Sequence, residues 1–240
     1  MSLLRIATWL HKWIGLIVGV QILFWVAGGV VMTVLPIEKV RGEHHLAEIA
    51  PKPLPLDRLA TAADAARRAG VTPIEAQVKA TPRGPVWVFK LAEGDPVIVA
   101  ADSGAPLAAM SPEQVRAFAI RAYKGEGAPI SVRLLSAAPP ETGKTGPLWR
   151  VDFDDAEKTA FYLSPQTAEV VSRRSDMWRF YDFFWRLHIL DFEEGDDFNH
   201  PLLIAAALVS LAVVITGFVL LWIRIGRDLS RRRPRASEAV

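Results

Sequence analysis

Two long uncharged stretches lie near the ends of the chain, and the sequence between them is mixed in polarity. Residues 13–35 and residues 201–223 contain no Asp, Glu, Lys or Arg. An apolar stretch of about 20 residues is long enough to cross a hydrocarbon core of about 30 Å as an α-helix. No face of either stretch is charged, which is not the pattern of an amphipathic helix on a soluble protein. The pattern therefore predicts two transmembrane helices, at residues 13–36 and 201–224.

The region between these stretches alternates between helical and strand-like patterns. Apolar residues recur at helical spacing in residues 57–69, and Gly70 then ends the helix. A Ser-Pro-Glu sequence starting at Ser111 offers an N-cap followed by proline, so we expect a second helix from there to about Tyr123. Strands are expected after each helix, at 74–80, 86–91 and 96–101 and then at 130–136, 148–153, 159–163 and 169–172.

An internal repeat links the two halves of this central region. Gly-Pro-Val-Trp at 84–87 matches Gly-Pro-Leu-Trp at 146–149, and the turn at 102–105 aligns with the turn at 164–167 at the same offset. Two matches in register indicate a duplicated helix-plus-sheet unit. We therefore predict an α+β domain of two repeats with antiparallel strands, at residues 57–108 and 109–173.

Charges beside the apolar stretches predict the orientation of the protein. Arg5 and Lys12 precede the first stretch, and a series of arginines follows the second: Arg224, Arg227, Arg231, Arg232, Arg233 and Arg235. The opposite flanks are mixed at 38–43 and acidic at 191–197. Because Lys and Arg near a span stay on the cytoplasmic side, we expect both termini in the cytoplasm of a bacterium. The protein would then sit in the inner membrane, with its central domain in the periplasm.

Composition excludes some partners and cofactors. The net charge is +2, and its basic excess lies in a tail beside the membrane, which favours anionic lipid of the bilayer as the partner and not nucleic acid. The first stretch is longer than the apolar core of a signal peptide and has no convincing cleavage site, so we expect an uncleaved anchor. There is no cysteine, which excludes disulfides and a covalently attached c-type haem.

His11 lies at the predicted cytoplasmic end of the first span. Gly15 and Gly19 follow at intervals of four residues, so an imidazole and two positions without side chains share one helix face. Such a groove would admit a flat ring such as haem. It would equally admit a second helix, as small residues at this spacing do in membranes.

His188 ends an aromatic segment that precedes the second span. Aromatic residues recur at three- or four-residue steps in residues 174–192, which predicts a helix with a flat apolar face. That face suits the headgroup interface, and it also suits the edge of a buried macrocycle. Arg179 and Arg186 lie elsewhere on the helix, where they could pair with haem propionates or snorkel to the membrane surface.

The remaining histidines lie at the outer ends of the spans. His44 and His45 follow the first span, and His200 immediately precedes the second. These imidazoles could converge with His188 at one depth and ligate haem iron, or they could hold zinc or copper. His200 precedes Pro201, so it could also be only the flank of a helix.

The membrane flanks carry a family resemblance. The Trp-Leu-His-Lys-Trp-Ile-Gly-Leu segment at 9–16, the exit at 36–44, the duplicated domain, Arg-Leu-His at 186–188 and Phe-Asn-His-Pro-Leu-Leu at 198–203 together resemble the bacterial PepSY-associated transmembrane family. The resemblance implies two PepSY-like repeats between the spans. It covers nearly the whole chain and is loosest in the soluble repeats.

The resemblance also implies a function. Some members of the family look like inner-membrane reductases of ferric iron or ferric siderophores that hold haem b between histidines of their helices. Carried over to this sequence, that implies His11, His44 and His188 as the leading haem ligands, with His200 and His45 behind them. Such reductases have more spans, so a two-span chain is expected to act as a homodimer.

The resemblance leaves a second function open. Other proteins with PepSY modules are thought to regulate peptidases or assembly without a cofactor, which here would mean a non-catalytic anchored module that binds a protein partner. The remaining segments are assigned in chain order: a cytoplasmic N-terminus at 1–12, a linker at 37–56, an interfacial aromatic helix at 174–192, an acidic loop at 193–200 and a basic cytoplasmic tail at 225–240.

Overall fold

The fold is a pair of long helices together with a central domain of antiparallel sheets. The computed structural model describes residues 3–48, 53–191 and 199–232. It divides the chain into a helix unit, Met1–Leu35 with Tyr181–Val240, and a sheet unit, Pro36–Phe180. Most of the predicted acidic loop and the end of the basic tail lie outside the described residues.

Two helices of the helix unit are long and apolar enough to cross a membrane. Helix α1 covers Leu3–Val34 and α6 covers Pro201–Arg232, with apolar spans at His11–Val34 and Pro201–Arg227. Large apolar side chains such as Ile17 and Trp222 are exposed along both helices. A continuous apolar surface of this extent requires a nonpolar surrounding, as a bilayer provides.

The two spans pack antiparallel in a defined register. His11 contacts Thr216 across the helix pair, and Gly15 faces Val213. Val18 and Ser210, at the next matching positions, are buried on the two spans. The contact residues recur every three or four positions, which is the spacing of a helix–helix seam. The small residues Gly15 and Ser210 let the backbones approach closely.

The first repeat of the sheet unit packs one helix on three strands. Strands β1 (Glu75–Thr81), β2 (Gly84–Lys90) and β3 (Val97–Ala100) are antiparallel in that order. Helix α3 (Ala62–Ala69) buries its alanines against the sheet. It begins at residue 62 and not at 57, because the Thr61 hydroxyl accepts a hydrogen bond from the Asp64 backbone N–H and caps the helix there.

The second repeat has the same order with one more strand. Helix α4 (Pro112–Ala122) precedes β4 (Pro129–Leu135), β5 (Leu148–Phe153), β6 (Ala160–Leu163) and β7 (Val170–Arg174), which pair antiparallel in sequence order. The predicted cap at Ser111 is present and forms a reciprocal capping box with Gln114. The core of this repeat is aromatic and includes Trp149, Phe153 and Phe161.

A salt bridge and a side-chain hydrogen bond join the two repeats into one domain. Lys79 on β1 pairs with Glu169 before β7 at 2.8 Å, and the Arg83 guanidinium donates to the Gln166 carbonyl at 2.9 Å. The segment predicted as a linker also has structure. It contains helix α2 (Ile37–Val40) and the short 3-10 helix Glu43–His45, and a second 3-10 helix, Leu56–Arg58, begins at its last residue. Helix α5 (Asp176–Ile189) follows β7.

Candidate functional site

The structure separates the five histidines into two groups. His11, His188 and His200 belong to the helix unit, whereas His44 and His45 belong to the sheet unit. The predicted set of His11, His44 and His188 is therefore not gathered within either unit. Each group has its own geometry, and each suggests a different chemistry.

His11 is held on α1 by a hydroxyl of the opposite span. Its Nδ1 lies 3.0 Å from Thr216 Oγ1, which also lies 2.9 Å from the Ala212 carbonyl oxygen. A hydroxyl has one proton to donate, and the carbonyl cannot donate in return. Thr216 therefore accepts from His11 Nδ1–H, which leaves the lone pair on His11 Nε2. An imidazole oriented through one nitrogen in this way is the usual form of a metal ligand.

The His188 side chain packs against the backbone of α1 at Gly28. A Cβ atom added to Gly28 would lie 3.7 Å from His188 Nδ1 and 3.4 Å from the Phe184 carbonyl oxygen, so the last turns of α5 pack directly on the α1 backbone. The His188 ring also lies beside Trp25, with ring centroids 6.3 Å apart. Gly28 lies within the apolar span of α1, so this end of α5 packs on a membrane-spanning helix.

His200 lies at the same level of the helix unit as Gly28. The register set by His11 with Thr216 and Gly15 with Val213, continued residue by residue, reaches His200 opposite Gly28. The His200 carbonyl accepts from the Ile204 N–H, so the residue continues the line of α6. His188 and His200 are therefore brought to one level. His11 lies about 26 Å away along α1, at 1.5 Å per residue.

Several buried polar atoms of the helix unit have no hydrogen-bond partner within the described part of the chain. They are His188 Nδ1 and His200 Nδ1 at this level, Trp25 Nε1 and Gln21 Nε2 about 4.5 and 10.5 Å from it along α1, and Ser210 Oγ on α6. A buried polar group without a partner costs on the order of 1–3 kcal/mol. We name His188, His200, Trp25 and Gln21 the outer polar cluster.

The two arginines suggested for propionates have carboxylate partners on their own helix. Arg186 Nε donates to Asp182 at 2.7 Å, and Arg179 donates to Asp176 at 3.0 Å. These spacings of three and four residues are ordinary helix-surface pairs.

In the sheet unit, His44 and His45 converge on one carboxylate. His45 Nε2 lies 3.1 Å from Glu157 Oε2, and His44 Nε2 lies 3.4 Å from Glu157 Oε1. The two imidazole centroids are 3.9 Å apart. His45 is buried, whereas about a third of each of the His44 and Glu157 side chains is exposed. We name these three residues the His-His-Glu cluster.

Backbone bonds fix the position of His45. The Lys124 N–H donates to the His45 carbonyl at 2.8 Å, and Leu46 pairs with Tyr123 in an antiparallel bridge. Gly42 enters the 3-10 helix with φ of +65°, in the left-handed region where a side chain is strained. The histidines are thus tied to the end of α4 in the second repeat.

The turn that carries Glu157 is fixed by Asp155. This carboxylate accepts from the Thr159 N–H and hydroxyl at 2.7 and 2.6 Å, and from the Tyr123 hydroxyl at 2.7 Å. Burial raises the pKa of Asp155, but these hydrogen bonds outweigh it and hold the pKa below its usual value. Burial and the neighbouring Asp155 raise the pKa of Tyr123 well above its usual value.

Sequence reasoning missed Glu157, Gly28, Gln21, Trp25 and Thr216. The polar residues Gln21 and Thr216 could have been found, because a polar side chain inside an apolar span is itself a sign of a functional site. Glu157 could not, since it is 113 residues from His44 in the sequence and no motif connects them.

Comparison with known proteins identifies the family. Searches of curated proteins and of solved structures return no significant match. The model of the family described as "PepSY-associated TM region" matches residues 8–239, which is nearly the entire chain. The match includes both apolar spans and the sheet unit between them, in agreement with the architecture described above. The chain therefore belongs to the PepSY-associated transmembrane family.

Proposed function

We propose that this membrane protein binds haem b through His188 and His200 and transfers electrons to ferric iron or ferric-siderophore complexes at the periplasmic side of the inner membrane. The observation that carries the proposal is the outer polar cluster, in which two imidazoles with unpartnered ring nitrogens share one level of the apolar helix pair. The neutral imidazole of histidine is a common axial ligand of haem iron, and it needs no cysteine.

The residues at this level fit the group. Gly28 lets the His188 ring approach the α1 backbone, and Trp25 offers a flat aromatic face beside His188. The Gln21 amide and Trp25 indole nitrogens are hydrogen-bond donors suited to carboxylates such as propionates. A ligand bound at this level would offer hydrogen-bond partners or coordination to the atoms of the cluster that lack a partner within the described residues.

Each part of the chain has a distinct role in this proposal. His188 and His200 would bind iron, the apolar spans would exclude water, and the sheet unit would present a surface to the ferric complex. Haem b, when bound, supplies a one-electron carrier, and the protein tunes it by ligation and burial. The net reaction moves one electron from a quinol or a cytoplasmic donor to one ferric ion, which becomes ferrous.

His11 is not part of this haem position. Its Nε2 keeps a lone pair because Nδ1 donates to Thr216, but it lies about 26 Å along α1 from the level of His188, too far to share an iron with it. His44 is not a haem ligand in this proposal, because its Nε2 faces Glu157 Oε1 at 3.4 Å in the sheet unit.

Single-turnover reduction tests the function. The protein is purified from haem-sufficient cells, placed in liposomes and reduced with dithionite, and excess reductant is removed. Addition of ferric citrate should bleach the reduced α band and release one ferrous ion per haem oxidised, measured with a ferrous chelator. His188→Ala and His200→Ala should lose both signals, whereas the matched His44→Ala variant should retain them. Haem that stays reduced in ferric citrate and in a ferric siderophore would refute the reductase function.

A further inference from the structure

The His-His-Glu cluster has the composition of a transition-metal site. We propose that His44, His45 and Glu157 bind a divalent transition-metal ion such as Zn²⁺, which joins the segment after α1 to the turn between β5 and β6. Two imidazole nitrogens and a carboxylate are a ligand set that zinc and its neighbours accept, whereas calcium and magnesium prefer oxygen ligands alone.

The distances within the cluster match those between ligands of one ion. Zinc binds nitrogen and oxygen at about 2.0–2.2 Å, so neighbouring ligands of a tetrahedral site lie about 3.3–3.5 Å apart. The two contacts between imidazole Nε2 and Glu157 oxygens measure 3.1 and 3.4 Å. Candidate ligand atoms of all three residues lie within 4.8 Å of one another. An ion can therefore be held with little movement of the side chains.

Backbone hydrogen bonds hold His45 and Glu157 in place before any ion binds. His45 is fixed through its carbonyl bond from Lys124, and the Glu157 carbonyl accepts from the Asp176 N–H at 2.8 Å. Asp155 does not compete for the ion, because both of its oxygens already accept hydrogen bonds from Thr159 or Tyr123. A site whose ligands are fixed in advance loses less conformational entropy on binding.

The exposure of the cluster leaves an ion accessible from solvent. His45 is 8% exposed and stacks on Tyr123, whereas His44 and Glu157 are about one-third exposed. Water can therefore complete the coordination on the side of His44. Three protein ligands with one open position are typical of zinc sites that exchange their fourth ligand.

Zinc binding to the full-length protein tests the site. Detergent-purified protein is stripped with EDTA, titrated with zinc chloride in a calorimeter, and assayed for bound zinc by mass spectrometry after dialysis. The wild type should bind one zinc ion that is lost in His44→Ala and in Glu157→Gln. The control variant Glu93→Gln, at an exposed turn of the first repeat, should still bind it.

A stability measurement separates loss of the site from loss of the fold. In EDTA, His44→Ala and Glu157→Gln should unfold at nearly the wild-type temperature, and zinc should raise the midpoint of the wild type but not of these variants. The inference is overturned if the wild type binds no zinc, or if both variants bind it as the wild type does. Without zinc binding, the cluster is two imidazoles hydrogen-bonded to one carboxylate. The result is independent of haem content, so this inference and the proposed function can fail separately.

Discussion

The His188 ring packs against Gly28 of α1, in the place that a side chain at position 28 would occupy. The first atom of such a side chain would already lie in van der Waals contact with His188 Nδ1 and the Phe184 carbonyl oxygen. This contact sets the level at which α5 meets the span, and through the helix register it brings His188 to the level of His200. The proposed haem position depends on this contact.

The haem content should therefore fall as larger side chains at position 28 displace His188. Gly28→Ala adds only the Cβ atom, which fits, so we expect the haem spectrum to be kept. Gly28→Leu adds branches that must move the His188 ring, and we expect most of the haem to be lost, as measured by the pyridine haemochrome per chain. The neighbouring Gly29→Leu variant is the control, because a Cβ atom there meets nothing within 4 Å. Equal haem content in the two leucine variants would show that the contact does not position a ligand.

The bond between His11 and Thr216 should stabilise the helix pair. Thr216→Val keeps the shape of the side chain and removes the acceptor for His11, and such interhelical bonds contribute about 0.6 kcal/mol on average, up to about 1.7. We expect the free energy of unfolding to fall by an amount in this range, measured by unfolding in mixed micelles with increasing SDS. Thr33→Val is the matched control, because the Thr33 hydroxyl bonds to the Gly29 and Val30 carbonyls of its own helix. A Thr216→Val loss no larger than that of Thr33→Val would contradict the assignment.

The Asp155 carboxylate should make the stability of the sheet unit depend on acid pH. In the folded protein the pKa of Asp155 is below its usual value. Its contribution to the free energy of unfolding is therefore fully present above about pH 4, the pKa in the unfolded chain, and is lost as pH falls through the pKa in the folded protein. Asp155→Ala leaves Thr159 and Tyr123 without their acceptor, which should cost about 1–3 kcal/mol at neutral pH.

The measurement is the thermal unfolding midpoint, followed by circular dichroism between pH 3 and 7. The difference between wild type and Asp155→Ala should narrow below about pH 4. Asp154→Ala is the control, since the adjacent Asp154 is exposed. A difference that stays constant down to pH 3 would mean that the stabilisation does not require the ionised carboxylate.

The basic residues beside the spans predict the orientation. Alkaline phosphatase, which is active only outside the cytoplasm, should be active when inserted at the exposed turn after Glu93. A green fluorescent protein fused to the C-terminus should fluoresce, as expected for a cytoplasmic end. An inactive phosphatase at the turn would reverse the orientation and place the sheet unit in the cytoplasm.

The sequence was sufficient for the parts of the fold that depend on local patterns. An uncharged run long enough to cross a bilayer identifies each span, and Ser111 followed by proline identifies the start of α4. Apolar spacing predicts too early a start for α3, because the spacing extends back to Leu59 while the hydrogen bond that begins the helix belongs to Thr61. A cap is a side-chain contact, and periodicity does not detect it.

The candidate site was only partly predictable, for a physical reason. Histidines near the spans were visible in the sequence, but their grouping depends on the register of α1 against α6 and on the turn that carries Glu157. The register is set by His11, Gly15 and Val18 against residues about 200 positions away. Contacts over that separation arise from tertiary packing, and a single sequence contains no direct signal of them.

The central claim is tested most directly by the reduced-minus-oxidised absorption spectrum of the pure protein, expressed with ample haem. We expect a red preparation with a Soret band and sharp α and β bands after dithionite, all lost in His188→Ala and His200→Ala while the variants still fold. A colourless wild-type preparation, or an unchanged spectrum in both variants, would contradict the account; the colourless result would favour an anchored module that binds a protein partner without a cofactor.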